Sequence, residues 1–218
     1  FSSNSSWPYD WSEFCADVTF QPQTKADLQI AVDLWSSNKA AAIATYGEIN
    51  SWDVSSITDM SNLFEYKDSF NEDLSNWDVS SVTTMRLMFH ADASTFNGDI
   101  TTWDVSNVTN MSGMFWDTPF NQDISDWDVS NVDNMQDMFY GSENFDQDLS
   151  DWDVSNVTNW NTTFGGNIGL SAVNKCAIYA SWSLIVDFPY DWASLCNNGF
   201  VPQNTVELQT AVNLWISD

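Results

Sequence analysis

The chain has 218 residues, with 31 Asp and Glu against 5 Lys and Arg and a single His, for a formal charge of −26. Such an acidic surface excludes the basic, phosphate-neutralising patch that nucleic-acid binding requires, and it argues against anionic membranes. No apolar run reaches the ~18 residues of a membrane span, and these residues carry neither a signal-peptide pattern nor a lipidation motif.

The first expected element is an amphipathic helix from about Lys25 into the Asn38 region. Thr24 and Asp27 form a capping-box pair, and Leu28, Ala31, Val32 and Trp35 fall on one helical face. Residues 1–48 therefore read as an N-terminal capping region, whose helix covers the apolar layer and unpaired edge of the repeats that follow.

From Ile49 to Leu170 the chain repeats itself. The string Trp-Asp-Val-Ser opens at Trp52, Trp77, Trp103, Trp127 and Trp152, at spacings of 25, 26, 24 and 25 residues. Self-similarity at 20 to 50 residues signals coils that bury their apolar faces only against stacked neighbours. In the fifth unit Leu149, Trp152 and Val154 follow the L-x-x-L-x-L spacing of a leucine-rich repeat, so Trp and Val point inward from a short strand while Asp and Ser point out. Behind it Val108, Met111, Met114 and Phe115 recur at helical spacing, which predicts a short helix or 3₁₀ turn. The expected fold class is α/β, a leucine-rich-repeat-like solenoid of five coils over 49–170 with helical capping regions. Stacking lines up an inward Trp column opposed by a Met/Phe column. Each buried Trp removes about 150–250 Å² from water and contributes up to roughly 4–6 kcal/mol, so this column reads as core rather than as a row of sugar platforms.

Beyond the coils, residues 171–187 read as a C-terminal cap and junction, and 188–218 as the opening of a second module. "WPYDWSEFC" (Trp7–Cys15) returns 181 residues on as "FPYDWASLC" (Phe188–Cys196), and "QPQTKADLQIAVDLW" (Gln21–Trp35) returns 180 residues on as "VPQNTVELQTAVNLW" (Val201–Trp215). A second helix is expected from Thr205. These residues then hold one complete module and the start of the next, as a segment of a longer tandem array would. The three cysteines fit this reading: Cys176 pairs with Cys196, and Cys15 has its partner in a preceding module. Three buried, reduced cysteines are the alternative.

On the outward face, Asp53, Asp78, Asp104, Asp128 and Asp153 form one column beside Ser55, Ser80, Ser106, Ser130 and Ser155. Like charges about 4.8 Å apart repel by about 0.9 kcal/mol per neighbouring pair even at water's dielectric constant, so something offsets them. Hydrogen bonds from serines and backbone together with ionic screening are one solution. Ca²⁺ bound by Asp104, Asp128 and Asp153 is the other. A second column, Asp73, Asp99, Asp123 and Asp148, suits Asx-type turns. Among the Asn-x-Ser/Thr sequons, Asn4 and Asn161 lie outside the repeat consensus and are the preferred glycosylation candidates. Enzyme chemistry finds no foothold: the one histidine, His90, stands at a variable coil end, and no nucleophile, phosphate-loop or metalloprotease motif is present, so no catalytic residue is assigned.

The units "FNQDISDWDVSNV" and "NVTNMSGMF" resemble the DUF285 or BspA-like leucine-rich repeats, surface-protein repeats of bacteria and mycoplasmas that also occur in microalgae. The flanks "TKADLQIAVDLW" and "ATYGEINSWDVSSITDM" are similar to the algal and protist versions. The resemblance implies a secreted or surface-anchored protein with an adhesive or envelope-building role, and it supplies no catalytic residues. The expected function is a structural or adhesive module of a long extracellular protein, one that can be strung into a filament, with adjacent modules and identical chains as partners. The alternative is a module that binds a glycan or a cell-surface protein through an acidic, calcium-loaded concave face. The monotony of the outward positions favours architecture over selective recognition.

Overall fold

A computed structural model describes residues 19–91, 94–166, 168–185 and 187–196. Cys15, the sequon at Asn4 and the helix expected from Thr205 lie outside the described residues.

Helix α1 spans Lys25–Ser37 and starts where the capping box placed it, with the Thr24 side chain accepting from Asp27 N–H and Asp27 accepting from Thr24 N–H. Leu28, Ala31, Val32 and Trp35 are its buried face. The helix stops at Asn38, whose side chain at once caps a second helix, α2 (Lys39–Tyr46), ended by Gly47 at a φ of +76°. The short Ala-rich α2 was not foreseen, because its pattern has one strongly apolar residue, Ile43, and no stripe.

Five coils then stack. Each turns once through a buried Trp and Val separated by a surface Asp, and all five tryptophans are at most 4 % exposed. The expected strands through Trp-Asp-Val are not formed. Among the described residues, coil-to-coil pairing consists of single parallel bridges seven residues after each Trp, linking Asp59, Thr84, Asn110, Asn134 and Asn159 in succession.

In place of the expected short helix or 3₁₀ turn stands a series of single i to i+3 turns, and this segment carries most of the coil-to-coil hydrogen bonding. From that bridge onward alternate N–H groups point to the next coil: Met60, Asn62, Phe64 and Tyr66 donate to the carbonyls of Thr84, Arg86, Met88 and His90. The pattern continues from Met85, Leu87 and Phe89 to coil three, and from Met111, Gly113, Phe115 and Asp117 to coil four. The intervening groups close i to i+3 turns, as in Leu63 N–H to Met60 O. Left-handed residues at equivalent places make this possible: Asn62, Leu87, Gly113, Asp137 and Thr162 all have positive φ. A helix would turn every peptide along its own axis. Here a left-handed residue interrupts the helical path, and every second N–H turns along the stack to bond a neighbour while Met and Phe still reach the core.

Aromatic columns run through the stack. Trp52 lies on Trp77 at 6.3 Å and Trp103 on Trp127 at 6.5 Å. Phe64, Phe89, Phe115, Phe139 and Phe164 follow one another at 5.3 to 6.0 Å. A further column, Phe70, Phe96, Phe120 and Phe145, comes from the Phe of three Phe-Asn-x-Asp segments and of Phe-Asp-Gln-Asp at 145–148. Helices close both ends of the Trp column. Trp35 of α1 meets Trp52 edge-on at 5.8 Å, and Trp182 of α3 (Ala172–Trp182) stacks on Trp152 at 6.5 Å.

Candidate functional site: the Asp/Ser face and the ends of the stack

The structure brings the predicted Asp and Ser columns together within each coil. Asp53, Asp78, Asp104, Asp128 and Asp153 each accept the backbone N–H two residues on, from Ser55, Ser80, Ser106, Ser130 and Ser155, at 3.0 to 3.1 Å. These are Asx turns, in which the carboxylate mimics a backbone carbonyl at a bend. For Asp53 and Asp128 the Ser hydroxyl and then the Ser N–H hold the carboxyl below its ordinary value. The column Asp73, Asp99, Asp123 and Asp148 does the same through Ser75, Thr101, Ser125 and Ser150. Among the described residues no three His, Cys, Asp or Glu side chains converge as a metal-binding group.

A second set of polar contacts links coils directly and escaped the sequence reading. Asn71, Asn97 and Asn121 each accept, through the side-chain carbonyl, the backbone N–H of Asn97, Asn121 and Asp146 one coil on. Asp146 ends the series on Ser171 N–H, just before α3. The only signal was the Asn that follows Phe in every Phe-Asn-x-Asp. Asn107, Asn131 and Asn156 form another ladder, donating Nδ2–H to the carbonyls of Ser80, Ser106 and Ser130. Two sequon asparagines, Asn107 and Asn156, thus use the nitrogen that a glycan would occupy. Asn161 is exposed and stands outside both ladders.

The two ends of the stack differ in chemistry. The aligned peptides present carbonyls at the α1 end and N–H groups at the α3 end, an arrangement with the polarity of a helix dipole. At the carbonyl end Gln29 donates to Leu63 O at 3.1 Å, and Lys25 bonds Asp59 at 3.0 Å and Ser61 at 2.6 Å. Burial opposes ionisation of Asp59, but the bonds from Ser61 and Lys25 outweigh it and hold its carboxyl below the ordinary value. At the donor end the N–H of Phe164 is capped by the hydroxyl of Tyr190 at 2.9 Å. The next two donors of the row, Trp160 and Thr162, have no partner among the described residues. They border a cavity of about 400 Å³ lined by Trp160, Asn161, Thr162, Asp187, Pro189 and Tyr190.

Tyr190 belongs to the returning Phe-Pro-Tyr-Asp-Trp motif, and that whole segment is built onto the end of the stack. Phe188 meets Trp160 and Trp182 edge-on at 5.4 and 5.8 Å, and Trp192 lies 5.5 Å from Phe164. A 3₁₀ turn (Ala193–Leu195) then delivers Cys196 to Cys176 of α3, and the two form a disulfide with Cα atoms 5.0 Å apart. The expected pairing is therefore present. Its seat is held by α3, whose N-cap Ser171 accepts from Asn174 N–H and whose Ser181 donates to Ser150 O. Helix α3 lies within the cap expected over 171–187, but its bounds were not anticipated, since its "CAIYASW" run carries too few polar residues to show a stripe.

Among the described residues no helix is long and apolar enough to cross a membrane. Comparison with curated proteins and with solved structures finds no match to this chain. A family model described as "Mycoplasma protein of unknown function, DUF285" matches residues 33–119 and 117–175, spanning the end of α1, α2, all five coils and the start of α3, and the chain belongs to the DUF285 family.

Proposed function

We propose that this chain is a non-catalytic structural or adhesive module of a long extracellular or cell-surface protein, a leucine-rich-repeat-like solenoid of the BspA-like kind that can be strung in tandem into a filament. The observation that carries this reading is the way the start of the repeated sequence, Phe188–Cys196, is packed and disulfide-bonded onto the preceding coils. A motif that opens one sequence module and closes another couples the two mechanically. The disulfide adds support for an oxidising compartment. A constant head-to-tail contact propagates into a rod or helix unless it closes into a ring. Small-angle scattering or electron microscopy of a chain carrying three modules tests this: a fixed inter-module distance supports the filament reading, and a broad distribution of bends removes it.

A second reading, a glycan- or protein-binding module, is favoured by one variable position. The residue after the core Phe changes from coil to coil (Glu65, His90, Trp116, Tyr140, Gly165), and the buried His90 with the half-buried Trp116 and Tyr140 form a row with the exposed Tyr66 at ring distances of 4.7 to 5.5 Å. Calcium at Asp104, Asp128 and Asp153 belongs to this reading. A melting temperature lowered by chelation at fixed ionic strength, with the difference lost in the Asp104→Asn, Asp128→Asn double variant, supports it.

A further inference from the structure

Every coil but the last offers the same three main-chain groups to its neighbour. In coil four these are Asp133 O, which accepts from Asn159 N–H, and the N–H groups of Met135 and Asp137, which donate to Asn159 O and Asn161 O. One residue of the following coil is thus held at both its N–H and its C=O, as in a parallel bridge, and the residue two further on is held at its C=O.

Coil five carries the same three groups, Thr158 O, Trp160 N–H and Thr162 N–H, and none of them has a partner among the described residues. All three residues line the cavity of about 400 Å³ at the donor end. Beyond them the row is closed, because Tyr190 already caps Phe164 N–H. The open edge is therefore three ligand residues long.

Its order of groups selects the ligand. A lone anion satisfies the two N–H groups but is repelled by Thr158 O, whereas an acceptor followed by two donors on alternate residues matches the N–H and C=O groups along one edge of a polypeptide. In such a segment the first and third side chains stand over Asn159 and Asn161 and point outward, and the second points to the core side. There Phe188 and Trp182 already cover Trp160 at 5.4 and 5.7 Å, which leaves room only for a small residue. Asp187 lines the cavity, no Lys or Arg does, and the chain's charge is −26, so the outward side chains that complement it are basic.

We propose that the edge of coil five, residues 158–162, binds an extended, basic segment of a partner polypeptide by parallel strand addition, with a small residue between two Lys or Arg. This goes beyond the architectural reading and does not depend on how modules are joined.

Amide NMR of the full chain titrated with acetyl-Gly-Lys-Ala-Lys-Gly-amide tests it. The Trp160 and Thr162 amide signals should shift and saturate. N-methylation of the first Lys removes the N–H aimed at Thr158 O and should weaken binding about fivefold, as loss of one hydrogen bond implies. N-methylation of the Ala, whose N–H faces away from the edge, should change binding by less than about twofold. A peptide that leaves both amides unmoved, or equal weakening by the two N-methyl groups, overturns strand addition. Acetate that shifts both amides at the peptide's concentrations overturns it too, by showing a simple anion site. The counterpart with Glu for both Lys should bind about threefold more weakly or worse, and equal or tighter binding overturns the basic partner.

Discussion

At the residue scale, the acidic face is a set of local devices before it is a field. Each Asp in the two outward columns closes a turn by accepting the N–H two residues on, a task that needs an acceptor oxygen and no charge. Asn retains that oxygen. Asp128→Asn should therefore change stability by less than about 0.5 kcal/mol, whereas Asp128→Ala should cost about 1 kcal/mol by leaving the Ser130 N–H to water; thermal denaturation of both variants measures the difference. Acid makes a related test. Hydrogen bonds hold the Asp53, Asp73, Asp123 and Asp128 carboxyls below their ordinary value. A depressed folded-state value means stability that is complete above the unfolded value of about 3.9 and is lost as pH falls through the lower folded values. The melting temperature should hold from pH 7 to about pH 4 and fall below that. A rise between pH 4 and pH 2.5 would show instead that relief of like-charge repulsion outweighs the turns.

At the element scale the coil is held by main-chain pairing on one side and aromatic columns within, and its weak and strong points can be told apart. Trp77, Trp103 and Trp152 donate Nε1–H to carbonyls of the preceding coil, Ile49, Leu74 and Ile124, whereas Trp127 Nε1 is buried with no partner among the described residues. Trp103→Phe should therefore cost about 1 kcal/mol more than Trp127→Phe, because only the first gives up a hydrogen bond, Leu74 O then keeping the Trp77 N–H alone. Gly98 marks a tight contact: a Cβ there would stand 2.0 Å from Glu72 O, so Gly98→Ala must push two coils apart and should cost about 2 kcal/mol or more. The inward phase of Trp and Val was legible because burial alternates strictly with the surface Asp. The turn after it was misread because Val, Met, Met and Phe keep helical spacing even though the backbone does not. The residue that breaks the helix is left-handed in all five coils, yet it is Asn62, Leu87, Gly113, Asp137 and Thr162, a set with no common side chain. Neighbouring coils impose that conformation by accepting the freed N–H groups. Local sequence cannot display such a constraint.

At the scale of the whole molecule, the contacts away from the ends lie within a coil or between nearest-neighbour coils, so stability is close to a sum over coils and interfaces. The α1 end is closed within one chain segment, by Trp35 on Trp52, by Gln29 on the carbonyl of Leu63 and by Lys25 on the side chains of Asp59 and Ser61. The other end depends on a segment brought back by a disulfide across a separation of 20 residues, a closure worth about 3 kcal/mol in the chain-entropy model. Reduction should therefore act at one end. Without the bond, Phe188, Tyr190 and Trp192 leave their places on Trp160 and Phe164, and the donor row of coil five opens to water. Hydrogen exchange on the reduced chain should show faster exchange at Phe164 and through α3, while Leu87, Phe89, Gly113 and Phe115 in the central ladders keep their protection. Uniform loss of protection across all five coils would mean that the stack unfolds as one cooperative unit, and that the plug holds the whole module rather than its end.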